Sequence, residues 1–393
     1  MMIYGRAGFV VTGDSNSMPL AVRLFGVAVL LLPGAPATSS AQVVPSIKPI
    51  VVVSGEKADL SNVAFVAVCG SAGEINVGLS QESTIRRFTA TGVPIGSFGR
   101  RGAGPGEISG LSPFAFCRGD TLGFGDHALA RLTLVSPNLK LVRSVPFPRI
   151  EWASASGGKM RPMNVVPHGF TDDGVVVFGF NTSNIRRVAG HVLLVSGDGV
   201  VKRHLLDYPA DPTGCTMLVA SGQSYRIPFC SLAWAGNDPT LRLVALVSST
   251  AAQQDRGAYQ LRVVGIDGKV RLDREIVANI DRIQPAAFEA ESKRWAYPPE
   301  GAKAVRDAPK RRRYGTAPPV LVAQDGSVWV LHRTKTARHW TVTDPRGQLV
   351  AEVQIPLGVV LFSVTRNMAI GVMEDENGFQ DVVKVDVRIL PRQ

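Results

Sequence analysis

Four adjacent cations, Lys310, Arg311, Arg312 and Arg313, crown a stretch in which eight basic residues between Lys293 and Arg313 are set against Glu300 and Asp307, a local charge of +6. Trp295, Tyr297 and Tyr314 lie close by. This combination suits contact with anionic lipid headgroups or acidic polysaccharide: the charges attract, and the rings stack on sugars or rest in a lipid interface. It also suits a plain solvated loop on a basic protein. The other residue types that do chemistry are scattered. The six histidines, at 127, 168, 191, 204, 332 and 339, include no two spaced as ligands on one element. There is no G-x-S-x-G elbow, no G-x-x-x-x-G-K-[ST] phosphate loop and no H-E-x-x-H pair, and no cofactor is expected. Asp126 and His127 occupy a turn that can face a channel mouth, where a turn aspartate ordinarily accepts backbone bonds. Arg100, Arg101 and Glu107 flank glycines, so they can either grip an anion or shape a tight chain passage.

The elements that must position these residues are short strands. The chain is organised around Gly99 to Glu107, GRRGAGPGE, and the strand-rich run from Pro113 to Phe147. β-Rich segments there alternate with Gly, Asp, Asn and Pro, the marks of an antiparallel meander. The pattern recurs. Second-strand segments are read at 73–78, 120–126, 173–180, 241–247, 325–331 and 368–374, and hairpin turns at 90–93, 136–139, 196–199, 265–268 and 344–347. First strands are expected at VAFVAVC, SPFAFC, MNVVPHGF, RIPFCSLAW, PPVLVAQ and VVLFSVT, with Asn164 and His168 as the polar groups able to point inward. Six repeats are counted, and the sixth lacks its last strand. The β-branched segment Ile50 to Val53 precedes the first repeat without a partner and is expected to fill that gap beside Val382 to Leu390, removing an open edge.

The linker, the DTLGFGD strand and the RLTLVSPNLKLV hairpin resemble the bacterial six-bladed β-propeller proteins related to NHL repeats. Gly99, Gly102, Gly104, Pro105, Gly106 and Glu107 match the family's blade linker, and Asp126 and Arg131 fall on its Asp and Arg. The resemblance implies an all-β fold: six four-stranded antiparallel blades, the ring closed by an N-terminal strand. A scaffold of this kind hosts many functions.

Residues 1–41 are read as a signal peptide, with an apolar run from Leu24 to Leu32 and small residues up to Ala41. That run is short for a bilayer span of about 20 residues, an uncleaved anchor being the alternative. Residues 1–17 fit no targeting pattern, as expected of a start codon placed too far upstream. Residues 42–393 would form one propeller domain with a basic insertion at about 291–316, in the periplasm or outside the cell. Removing the leader lowers the net charge from +11 to +10, so over half of it lies in that insertion. Cys215 and Cys230 flank a hairpin centred at Gly222-Gln223, where a disulfide and two thiols are both compatible. Cys69 and Cys117 end equivalent first strands of neighbouring blades, which are expected to lie beyond the roughly 7 Å a disulfide spans, leaving two buried thiols.

Two functions fit. One is an exported, monomeric binding or scaffold propeller holding a protein or glycan partner, with peripheral contact to an anionic membrane surface; nucleic acid is set aside, because an exported protein rarely meets it. The other is a lactonase-like hydrolase or lyase with a divalent cation in the channel, which needs converging carboxylates that the first strands lack. Binding is the favoured reading, through Lys310, Arg311, Arg312 and Arg313.

Overall fold

The computed structural model describes residues 47–147, 152–153, 159–160, 164–183, 186–209, 216–218, 224–226, 233–294, 303, 313, 316–333, 337–365 and 367–386. They build six four-stranded antiparallel sheets, each a blade. The first, inner strands are Val63–Cys69, Leu111–Arg118, Asn164–Phe170, Trp234–Asn237, Thr316–Val322 and Val359–Val364. All six anticipated second strands are present, from Glu74–Leu79 in blade one to Met368–Glu374 in blade six.

Burial explains the strand compositions. The second strands are covered on both faces by neighbouring blades, so Glu74–Leu79 and Thr121–Asp126 read as nearly continuous buried runs. The outermost strands meet water: Pro94–Phe98 buries Phe98 alone. Apolar side chains fill each seam of the ring. Phe65 and Phe124 meet between blades one and two, Phe116, Val176 and Leu246 across blades two to four, and Val247 and Val330 between four and five. Trp329 and Leu361 then pack between five and six, and Val372 and Val66 between six and one. In blades one and two a glycine opposes an inner-strand ring. A Cβ on Gly78 would lie 2.4 Å from Phe65, and one on Gly123 would lie 2.1 Å from Phe116, so both positions exclude a side chain.

The N-terminal strand closes the circle. Ile50–Val53 pairs antiparallel with Gln380–Asp386, Ile50 opposite Lys384 and Val53 opposite Val382, as the missing sixth-blade strand required. The tie continues beyond the strand, with Gly55 N donating to Asp381 Oδ1 (2.6 Å) and Val63 N to Gln380 Oε1 (2.7 Å).

Two expectations are corrected. Cys69 and Cys117 form a disulfide with their Cα atoms 5.4 Å apart. The expectation of two thiols assumed the spacing of blade bodies, whereas inner strands converge towards the ring axis and approach far more closely than outer ones do. The inner strand of blade four is Trp234–Asn237, sharing only Trp234 with the expected RIPFCSLAW. Part of that stretch pairs instead in a small hairpin, Thr216–Leu218 against Ser224–Arg226, with Met217 opposite Tyr225. Cys215 and Cys230 lie outside the described residues. Among the described residues the β pattern is also interrupted by the helices Ala251–Arg256, opened by a Thr250/Gln253 capping box, and Pro285–Arg294.

Candidate functional site

Five of the six inner strands carry a bulge, at the start of the strand in blade one and further along it in the others. The extra residues are Ala64 in blade one, His168 in blade three and Phe362 in blade six, with the three-residue stretch Ser112 to Phe114 opposing Gly125 in blade two and Pro318-Pro319 inserted in blade five. Proline explains several of them. Pro113, Pro167, Pro318 and Pro319 have no N–H to give the ladder, so pairing lapses there and neighbouring side chains are re-aimed. The bulges therefore line the free inner edges that surround the channel.

At blades two to four this produces one cluster. The His168 ring lies between Phe114 and Phe178, its centroid 3.9 Å from the first and 3.7 Å from the second. Its Nδ1 meets Asn237 Oδ1 at 2.8 Å. The Asn237 amide is oriented in turn, because its Nδ2 donates to Asp238 O (2.9 Å). Oδ1 is thus the acceptor, Nδ1 carries the proton, and Nε2 holds the free lone pair. Burial pushes the His168 pKa down to about 4, only partly offset by the Asn237 bond, so the ring is neutral near pH 7. Next to it, Cys117 N donates to Pro239 O (2.8 Å), tying blade two directly to the turn after the blade-four inner strand. Asn237 was missed by sequence reasoning because the blade-four inner strand was placed too early. Asn164, the other expected inward group, lies on the blade-three inner strand, but its side chain is outside the description.

The other expected residues serve the frame. Asp126 is fully buried and accepts from Ser109 N, Gly110 N and Leu129 N at 2.9–3.1 Å. Arg131 donates to Glu107 O (2.6 Å) and Gly104 O (3.1 Å), and the Glu107 carboxylate takes Gly104 N (2.7 Å) and pairs with Arg100 (2.9 Å). These bonds, the Gly104 amide first, hold the Glu107 carboxyl below its ordinary pKa. Arg101 donates to Gln81 O. The linker motif is therefore a corner held by its own hydrogen bonds. His332 and His339 face each other on adjacent strands of blade five, both buried, and burial lowers the pKa of each. Among the described residues no group of three or more His, Cys, Asp or Glu is placed to hold a metal ion.

Of the basic run, Lys310, Arg311 and Arg312 lie outside the described residues. Arg313 is half-buried, its guanidinium donating to Ile280 O and its own carbonyl accepting from Gln254 Nε2 (2.8 Å). It roots the insertion on blade four. Lys293 and Lys303 are exposed.

No family model matches the chain, and no curated protein matches it. Among solved structures it is similar to a protein of Bacteroides fragilis named as exported, at 9% identity with a TM-score of 0.48 over 88% of this chain and 95% of that one. It is also similar to a DUF4221-family protein of Bacteroides vulgatus (9% identity, TM-score 0.46, 87% and 98%). A third is virginiamycin B lyase of Staphylococcus aureus (8%, 0.39, 87% and 99%). Similarity at this level assigns no chemistry.

Proposed function

We propose that the chain is an exported binding propeller, related to the NHL-repeat proteins, that presents the basic insertion between blades four and five to an anionic glycan, protein or membrane surface. The observation that carries this reading is how the insertion is rooted. Its near side is the helix Pro285–Arg294, which buries Ala287 and Phe288, and its far side is Arg313, bonded to Ile280 and Gln254. A charged excursion on so rigid a base can vary and bind without disturbing the ring. The leader-like residues 1–41 and the Cys69–Cys117 bridge both support export, because such bonds persist in oxidising compartments. The rival reading, a hydrolase with a channel cation, has less support: the described inner strands carry no aspartate or glutamate.

The test neutralises Lys310, Arg311 and Arg312 to Gln and spares Arg313, whose loss would disturb the frame. Three fewer cations at a surface should weaken retention on anionic phospholipid vesicles by roughly a hundredfold at low ionic strength. That difference should shrink as salt screens the wild-type attraction. Equal retention of the triple variant on anionic vesicles and on acidic glycan beads at low salt would refute the proposal.

A further inference from the structure

We propose that Asn377 is a site of spontaneous covalent modification: the Gly378 main-chain nitrogen displaces its side-chain amide, and the products loosen the closure of the ring. The sequence singles the residue out, because it is the one asparagine in the chain followed by glycine. Any other following side chain crowds the nitrogen that must attack. The fold then opens the place to water. Asn377 lies at the tip of the hairpin joining Met368–Glu374 to Gln380–Asp386, in a three-residue loop closed by Asp375 N donating to Phe379 O at 2.8 Å. It is exposed, its side chain has no hydrogen-bond partner among the described residues, and a Cβ placed on Gly378 would meet nothing within 4 Å. Gly378, left-handed at φ +83°, donates to Asp375 O at 3.2 Å, whereas Gly199, Gly268, Gly326 and Gly347 close turns of the same kind at 2.8–3.0 Å.

The reaction needs only the turn and water. Hydroxide takes the Gly378 amide proton, the nitrogen bonds to Asn377 Cγ, and the Cγ–Nδ2 bond breaks, Nδ2 leaving as ammonia with a proton from water. Water then opens the resulting five-membered succinimide. Cleavage between Cγ and the Gly378 nitrogen yields aspartate. Cleavage at the main-chain carbonyl yields isoaspartate, whose chain runs through Cβ and Cγ and is one carbon longer. Asp198, Asp267 and Asp325 precede glycine in similar turns, but a carboxylate repels the attacking nitrogen anion and a neutral amide does not. The consequence falls on the closure. Glu374 opposite Gln380 is the last rung before the loop. Gln380 N donates to Leu60 O (2.8 Å), Gln380 Oε1 accepts from Val63 N (2.7 Å), and Asp381 Oδ1 accepts from Gly55 N (2.6 Å). An added carbon in so short a loop shifts that rung, and a new carboxylate beside Asp375 and Glu376 adds like-charge repulsion.

The test incubates the purified full chain in neutral and in alkaline buffer and follows residues 374–380 by peptide mapping, with the aspartyl and isoaspartyl products separated by chromatography. Both should accumulate, faster in the alkaline buffer because hydroxide removes the amide proton. Protein aged to completion should melt roughly 2 °C below the fresh chain, the scale of one weakened hydrogen bond in a domain of this size. Asn377→Ser changes an exposed side chain, so it should melt with fresh wild type and keep that temperature on ageing. The proposal is overturned if Asn377 stays intact in alkaline buffer, if aged and fresh wild type melt together, or if Asn377→Ser loses as much on ageing as wild type does.

Discussion

The histidines are where single residues set a property of the whole protein. His168 titrates at about 4 in the native state against about 6.5 in the unfolded chain, so between those values the unfolded state takes up a proton that the native state refuses. Stability is therefore unaffected above pH 6.5 and is lost as the pH falls through that window, by roughly 3 kcal/mol for this group. His332, held low by burial and then by its neighbour His339, and His339, held low by burial, act in the same direction. Asp238 opposes them, since burial raises its pKa. Urea midpoints should fall steadily from pH 7 to pH 4.5, and more shallowly in His168→Phe, which keeps the stack and removes the titrating group. Parallel slopes would show that His168 does not contribute.

Among the elements, the inner strands decide most. The disulfide joins the last residue of the blade-one inner strand to the matching position in blade two, closing 48 residues of chain. A loop of that length predicts a loss of about 4 kcal/mol when the bond is removed, by the chain-entropy model. Cys69→Ser with Cys117→Ser should accordingly lower the denaturant midpoint and steepen the transition's slope, because the unfolded chain freed of the crosslink exposes more surface. A midpoint equal to wild type under oxidising conditions would show that the bridge does not stabilise the ring. The strands themselves were legible because their signals are local: turn residues at regular intervals and buried runs in the second strands. The blade-four inner strand was not, because RIPFCSLAW and WAGN are both plausible short apolar runs, and the choice between them is made by pairing with Leu243–Ser248, Trp234 opposite Val247.

For the whole molecule, closure is the controlling feature. A ring with blade six open would expose the ladder of Gln380–Asp386 and uncover Val382, which the Ile50–Val53 strand now covers. Deleting residues 42–55 should cost on the order of 3 kcal/mol or more, from lost burial of Val53 and its neighbours together with an exposed strand edge. It should also promote association through that edge. Calorimetric melting and light scattering measure both, and a truncated chain that melts as the full one does while staying monomeric would contradict the closure argument.

The sequence by itself determined the repeat and the strand that completes the last blade, because each depends on periodicity, turn chemistry or a missing partner that can be read along the chain, while the blade linker with Asp126 and Arg131 was marked by its resemblance to a known motif and its bonds were supplied by the structure. The sequence also marked Lys310, Arg311, Arg312 and Arg313 by charge alone. Only the tertiary structure separated Arg313 from that group, by giving it Ile280 and Gln254 as partners. Only the tertiary structure, too, joined Cys69 to Cys117 and set Phe114, His168 and Asn237 in one cluster. These groups come from three different blades, His168 and Asn237 being 69 residues apart, and no local pattern encodes their meeting. Their distances follow from how tightly six inner strands converge on one axis and from where proline breaks each ladder, and both are properties of the closed ring.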